Sequence, residues 1–336
     1  MRNIVIIGEA WGAEEQKEQA PFIGASGYLL TKMLGEAGIR RSNCHLTNVF
    51  NLRPHMNRVT SLCGGKNDGI EGYPALATGK WVHYKYTNEL DRLREELCKI
   101  NPNLVICLGN TAMWAMLGRT AISKLRGATT LSTHTVTGFK VLPTYHPAAV
   151  LRQWDLRPIV VADFVKAERE SAFADLRRPK REIWIEPTLK DMEDFYERFI
   201  ATSDLVSIDI ETTGTNITCI GFAPNASVGI VVPFYDPRRK TRSYWPSQDH
   251  ERRAWEFVKR VLEGGTKKLF QNGLYDIAFL WRSMRLRVAN AEHDTMLLHH
   301  ALQPESLKGL GFLGSVYTDE GAWKQMRDVR TIKRDD

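Results

Sequence analysis

The sequence predicts two α/β domains in series, the first on a parallel sheet and the second on a mixed one. Three observations carry this. In the first half, four short apolar runs (residues 4–7, 45–50, 104–109 and 140–145) alternate with helical stretches and glycine-bearing loops. That is how buried parallel strands with helices on both faces read. A basic, proline-bearing break, Arg177-Arg178-Pro179-Lys180-Arg181, follows. Beyond it, residues 205–214, 219–223 and 228–233 form successive strand candidates with turn residues between them, the mark of an antiparallel meander. At 336 residues the chain is long enough for two domains. The expected boundaries are 1–176, a linker at 177–182, and 183–336.

Composition excludes some classes. With 43% hydrophobic and 25% charged residues, the chain has the make-up of an ordinary globular protein. A net charge of +7 admits a polyanionic partner without requiring one. No run of 18 apolar residues is present, so no membrane span is expected. Residues 4–7 begin a strand with no signal-peptide pattern before them. The five cysteines are scattered and include no C-x-x-C, which suits free thiols in a reducing, cytoplasmic setting.

The first strand ends in Gly8-Glu9-Ala10-Trp11-Gly12, a tight loop where α/β folds place ligands. Glu14 and Glu15 follow, then a glycine-punctuated segment, 21–27, with one aromatic, Phe22, leading into a helix over 28–35. The second strand carries Asn48. A helix through Leu90, Leu93, Leu97 and Ile100 precedes the third, and the fourth ends in His146-Pro147-Ala148. The strand ends present Glu9, Glu14 or Glu15, Phe22, Asn48 and His146 to one rim, and their chemistry suits a planar heterocycle. Phe22 can stack on it and the Asn48 amide can pair with its edge. His146 can donate to a carbonyl that turns anionic as the base leaves, and a carboxylate can orient water or stabilise a positive sugar. Taken singly, each has a plainer reading: Asn48 as a turn former, Phe22 as core, His146 as a hydrogen-bonded histidine beside proline.

Taken together, G-E-A-x-G-x-x-E, P-F-x-G-x-x-G, T-N-V-x-x-x-R-P, I-x-K-L-R-G (residues 122–127) and Y-H-P-A resemble, in this order, the family 4 uracil-DNA glycosylases, from residue 4 to about 167. The resemblance implies a three-layer α/β/α fold and excision of a flipped-out uracil. It assigns catalytic roles to Glu9, Glu15 and His146, and base contacts to Phe22 and Asn48. Trp11 stands at the pocket mouth in place of the family's proline. Lys124, Arg126 and Arg152 would face DNA, helping to hold a duplex distorted by base flipping. Family 4 enzymes usually carry four cysteines around an iron–sulfur cluster. Leu52 and Glu89 stand near two such positions here, so no cluster is expected and the glycosylase needs no cofactor. Residues 55–88 are longer than the usual connection and include Trp81, Tyr84 and Tyr86. They read as a DNA-binding or lid loop, or as a flexible insertion.

In the second half, Asp209 and Glu211 are two apart, so on a strand they share a face. Like charges on a largely buried strand raise each other's pKa unless a cation neutralises them, and a divalent metal is the simplest solution. The plainer reading is an edge strand with two solvated acids. Downstream, Asn272-Gly273-Leu274-Tyr275-Asp276 places an aspartate in the first turn of a helix, and Asp294-Thr295-Met296 opens another. The order D-x-E, N-x-x-x-D, D-T-M resembles the 3′–5′ exonuclease (proofreading) domain of family A DNA polymerases, a DEDD nuclease of RNase H-like fold. It implies Asp209, Glu211 and Asp276 as ligands of Mg2+ or Mn2+, with Thr212, Thr213 and Asn272 in support and Asp294 as a helix cap. The family's fourth carboxylate, in Y-x-x-x-D, has no good match, since Asp335 follows Thr331 rather than a tyrosine. Weak or absent exonuclease activity is therefore expected, through truncation or degeneration.

The expected protein is a DNA-repair glycosylase fused to this exonuclease-like domain. Its partners would be uracil-containing DNA, single-stranded 3′ ends and a replication polymerase. The alternative is a catalytically degenerate DNA-binding or replication-accessory module, or a fragment of a phage polymerase polyprotein.

Overall fold

A computed structural model describes residues 3–318 and 320. The chain divides into two compact units. The first runs to Arg178 and takes in the chain again from Gly311, and the second is Pro179–Leu310.

In chain order the first unit contains β1 (Ile4–Ala10), α1 (Ala13–Glu18), α2 (Ala25–Glu36), β2 (Cys44–Phe50), β3 (Cys63–Gly64), β4 (Trp81–Val82), α3 (Thr87–Ile100), β5 (Leu104–Leu108), α4 (Gly109–Leu117), α5 (Ile122–Leu125), β6 (Thr130–Leu131), β7 (Lys140–Thr144), α6 (Pro147–Arg152) and α7 (Arg157–Glu170). The main sheet has the order β2-β1-β5-β7-β6, parallel throughout except for the short edge strand β6. Neighbouring residues on a strand face opposite ways. Val5, Ile7, Val105 and Val141 therefore pack toward Leu93 of α3 and Trp114 of α4, while Ile4, Ile6, Leu104 and Ile106 pack toward Met33 of α2 and Phe164 of α7. Covering both faces makes the three layers and explains why these strands are apolar without alternation. The four parallel strands bring their carboxyl ends to one rim.

Two details of this unit differ from expectation. The closing helix, α7, spans 157–170 and so ends short of the expected domain boundary at 176. Pro158 suits its first turn. The fully buried Lys140 ammonium then gathers the carbonyls of Glu170, Phe173 and Asp175 at 2.7–3.1 Å, which ends the helix. Residues 55–88, moreover, are a packed excursion rather than a flexible insertion. Leu62, Ile70, Leu76 and Val82 are buried in the same cluster as Leu93, each such burial stabilising by about 1.5–3 kcal/mol. The Trp114 indole donates to the Pro74 carbonyl at 2.8 Å and so ties the excursion to α4.

The second unit contains β8 (Glu182–Ile185), α8 (Leu189–Phe195), β9 (Leu205–Thr213), β10 (Asn216–Asn225), β11 (Val228–Pro233), α9 (Gln248–Glu263), β12 (Lys267–Phe270), α10 (Gly273–Met284), β13 (Ala291–Asp294) and α11 (Thr295–Leu302). Its sheet order is β13-β12-β9-β10-β11-β8. The run β9-β10-β11 is the antiparallel meander, β12 and β13 continue it in parallel, and β8 closes the far edge. β9 is therefore central, not an edge. Among the described residues no helix is long and apolar enough to cross a membrane.

A last helix, α12 (Leu310–Tyr317), departs from the expected second domain of 183–336, because from Gly311 onward it belongs to the first unit. The cause is polar. Arg126, expected to face DNA, is only 4% exposed and pairs with the buried Asp163, its Nε donating at 2.9 Å. Its Nη1 donates to the Ser315 hydroxyl at 2.9 Å, and Lys166 donates to the carbonyls of Gly127 and Thr318, both at 2.7 Å. Desolvating a guanidinium costs several kcal/mol unless its donors are matched, so Arg126 is committed to this network and is not available to a phosphate. Thr331 and Asp335 lie outside the described residues.

Replacing Asp163 with alanine leaves the Arg126 guanidinium buried and uncompensated. A loss of about 3–5 kcal/mol is expected in denaturant unfolding of the full chain.

Candidate active site

The rim of the first sheet is built around a missing side chain. Gly8 is paired in register with Asn48 on the neighbouring strand. A Cβ placed on Gly8 would lie 2.2 Å from the Asn48 Oδ1 and 2.5 Å from Cζ of Phe22. No real Cβ tolerates such contacts, so only glycine allows these two side chains to close on β1. Asn48 is 2% exposed and Phe22 is 3% exposed. The His146 ring lies nearly parallel to that of Phe22, with an interplanar angle of 28° and centroids 6.0 Å apart. Phe22, Asn48 and His146 thus come together from three separate parts of the chain.

Each is fixed by its surroundings. β2 is an edge strand, and Arg92 of α3 donates to its Asn48 and Val49 carbonyls at 2.7 and 3.2 Å, holding the strand end. The Asn48 Nδ2 is buried with no hydrogen-bond partner, which is costly in a protein interior and marks a donor kept for something else. His146 caps α6, its Nδ1 accepting from the Ala148 N–H at 3.1 Å. An Nδ1 that accepts leaves the ring proton on Nε2. Burial, then the nearby Arg152, lowers the His146 pKa from 6.5 to about 4, so at neutral pH the ring is an uncharged Nε2–H donor.

The acids divide. Glu9 follows Gly8 on β1, and its Oε2 accepts from the Thr111 hydroxyl of α4. Glu15 is occupied with backbone: one oxygen takes the Gly12 N–H, the other the Phe22 N–H at 3.1 Å. Trp11 is partly buried, its backbone N–H bonded to the Leu52 carbonyl at 3.1 Å and its indole Nε1 buried without a partner. Near the two expected cluster positions, Leu52 packs against the core and Glu89 accepts the Asn51 N–H at 2.9 Å. Lys124 and Arg152 are exposed, whereas Arg126 is not. Sequence reasoning missed Thr111 and Arg92. Thr111 sits just past a strand end, where a search for site residues could have found it.

In the second unit Asp209 and Glu211 do share a face of β9. That face is exposed, while Val206, Ile208 and Ile210 fill the opposite, buried one. Asp276 is buried in the first turn of α10, and its Oδ1 accepts the Ile210 N–H at 3.2 Å, beyond the point where β12 stops pairing with β9. Burial first, then the neighbouring Asp209 and Asp294 charges, raise its pKa to about 6. Asp294 caps α11 and also accepts from the N–H groups of Asn272 and Gly273, holding Asn272 at φ 60°. The Thr212 hydroxyl bonds the Tyr275 hydroxyl at 2.9 Å, and Thr213 is exposed. Among the described residues no three His, Cys, Asp or Glu side chains converge as metal ligands would.

The pattern of the uracil DNA glycosylase superfamily matches residues 2–177. The type-4 uracil-DNA glycosylase of Thermotoga maritima is 34% identical over 170 residues, covering 49% of this chain and 76% of that protein. A DNA polymerase of Bacillus phage SP01 is 23% identical over 330 residues, covering 88% of this chain but 32% of the polymerase. Among solved structures, the EXO domain of Aedes aegypti Nibbler is similar at 12% identity, with 48% of this chain and 80% of that chain covered and a TM-score of 0.35.

The state of His146 can be measured directly. Nitrogen-resolved NMR of the ring is expected to show the Nε2–H tautomer at pH 7 and titration near 4. Because the fold favours the neutral ring, the unfolded chain binds the extra proton between 6.5 and about 4. This contribution to stability is complete above pH 6.5 and is lost as the pH falls toward 4.

Proposed function

The chain belongs to the uracil DNA glycosylase superfamily, and from that premise we propose that its first unit hydrolyses the N-glycosidic bond of uracil, or a related modified base, flipped out of DNA. The observation that carries this reading is the buried, unpartnered Asn48 Nδ2. Leaving a donor unmatched costs about 1–3 kcal/mol, and a base carbonyl brought into the site would satisfy it. A uracil edge offers an acceptor to the Nδ2 and an N–H to the Oδ1, and Phe22 supplies a plane for stacking.

The chemistry follows from the same groups. The C1′–N1 bond breaks with both electrons going to the base, whose O2 becomes negative. A neutral Nε2–H on His146 donates to that oxygen as charge builds, without having to release a proton itself. Glu9, oriented by Thr111, stabilises the positive sugar or positions the water that adds at C1′. Glu15 supports the loop that presents Phe22 and does not act on the sugar directly. The Trp11 indole adds a second unmatched donor at the pocket mouth. Lys124 and Arg152 contact phosphates. No cofactor enters any of these steps.

For the exonuclease-like second unit, the proposal is weak or no 3′–5′ trimming. Mg2+ or Mn2+ would have to be held by Asp209, Glu211 and Asp276, with Thr212, Thr213 and Asn272 around the 3′ end, and no step is assigned to an ion there. A replication polymerase is the protein partner that the phage relative suggests.

A uracil-containing oligonucleotide incubated with the protein tests both parts. Base release is expected from the wild type, undiminished by EDTA, and about 10- to 100-fold slower in Asn48→Ala, the equivalent of one or two lost hydrogen bonds. Any shortening of 3′ ends should be slight and should vanish with EDTA. A wild-type protein that releases no uracil would overturn the glycosylase reading.

Gly8→Ala gives a second test. The added methyl must displace Asn48 or Phe22, so uracil release should fall at least tenfold, while chromatography shows a folded, monodisperse protein.

A further inference from the structure

Phe22 is held in a backbone conformation that an aromatic residue rarely adopts. Its φ is +58°, in the left-handed region, where a non-glycine residue is disfavoured and persists only when its surroundings impose it. Both sides of its backbone are tied. The N–H donates to Glu15 at 3.1 Å, and the carbonyl accepts from Nη2 of Arg41 at 2.9 Å. The same guanidinium donates through Nη2 to the Pro21 carbonyl at 3.4 Å, and through Nη1 to the Gly27 carbonyl at 3.1 Å and the Thr31 hydroxyl at 3.0 Å. It therefore clips the loop before α2 to the first turns of that helix. Gly27 completes the arrangement, since a Cβ there would fall 1.7 Å from the Phe22 carbonyl oxygen.

We propose that Arg41 is a positioning residue for base stacking, which imposes the left-handed turn at Phe22 and thereby sets its ring against Gly8, beside Asn48 and His146. This rests on the reading of the first unit as a glycosylase. An alternative role, direct contact with a DNA phosphate, is disfavoured because both terminal nitrogens already serve four acceptors inside the protein. A planar fork with fixed donors bridges the loop and the helix in one geometry, while a lysine's freely rotating ammonium imposes none. Arg41 touches no reacting atom in this scheme and acts only through Phe22.

The test combines single-turnover uracil release with a fluorine reporter. Rates are measured for the wild type, Arg41→Lys, Arg41→Ala, Phe22→Ala and the double variant Arg41→Ala/Phe22→Ala. Arg41→Ala and Arg41→Lys should each slow release about tenfold. In the Phe22→Ala background, loss of Arg41 should cost less than twofold, because no ring remains to position. A purely structural role or a phosphate contact would instead give multiplying losses, and that result would overturn the proposal. Should Arg41→Ala fail to fold, Arg41→Lys and the double variant Arg41→Lys/Phe22→Ala carry the same comparison. With 4-fluorophenylalanine at position 22, one sharp resonance is expected with Arg41 present, and a shifted or exchange-broadened one in Arg41→Lys. An unchanged resonance would also overturn the proposal. If the wild type releases no uracil, the glycosylase reading fails, while the fluorine comparison still decides whether Arg41 sets Phe22.

Discussion

Everything at the first site depends on the space left by the absent side chain of Gly8. A parallel strand brings its neighbour close at each paired position, and Gly8 is paired with Asn48. With a methyl group there, neither the amide nor the Phe22 ring could reach its place. The sheet supplies rigidity, being apolar and covered on both faces, and the glycine supplies room. The room at the site is therefore a property of the strand itself, and the loop that carries Phe22 is fitted to it.

Around that space the protein spends its charged side chains on backbone. Arg92 holds the carbonyls at the end of β2, Arg41 those on either side of α2's first turn, and Glu15 the N–H groups of the preceding loop. The groups left over are few and neutral or singly charged: one amide, one imidazole, one indole and one carboxylate. Ions committed to carbonyls and amides fix geometry, and the low polarity that remains keeps His146 uncharged. The second unit shows the contrary pattern. Its paired acids stand on an exposed strand face, and the buried one, Asp276, is turned to a strand N–H. A carboxylate engaged in this way finishes a hydrogen-bond ladder as readily as it could ligate an ion.

Much of this was legible beforehand. Phe22 was readable because it is the one aromatic of a glycine-punctuated loop leading into a helix, and Asn48 and His146 because they fall at the carboxyl ends of apolar runs, which a parallel sheet brings to one rim. The order of strands and helices was readable for the same reason. Arg41 was not, because its partners are carbonyls, which every residue has and no sequence pattern marks. Arg126 was misread as a surface base. Its partner Asp163 lies 37 residues away, and nothing local shows that a cation will be buried. The packing of residues 55–88 was not legible, because Leu62, Ile70, Leu76 and Val82 belong to no continuous strand or helix pattern. Each is a separate anchor in an irregular chain, visible only once the core they enter is built. The centrality of β9 was hidden too, because its parallel neighbour β12 arrives some 60 residues later, after the meander is complete.

The return of the chain at Gly311 has a practical corollary for dissecting the protein. Cutting at the basic linker to isolate the first unit would remove Ser315 and Thr318, and with them the acceptors of a guanidinium and an ammonium that are otherwise sealed from water. In the excised piece Arg126 would keep Asp163 and Lys166 the Gly127 carbonyl, but each would lose an acceptor supplied by α12. A faithful minimal version must splice residues 311–318 back on, as in an internal deletion, rather than stop where the first lobe ends in the reading frame.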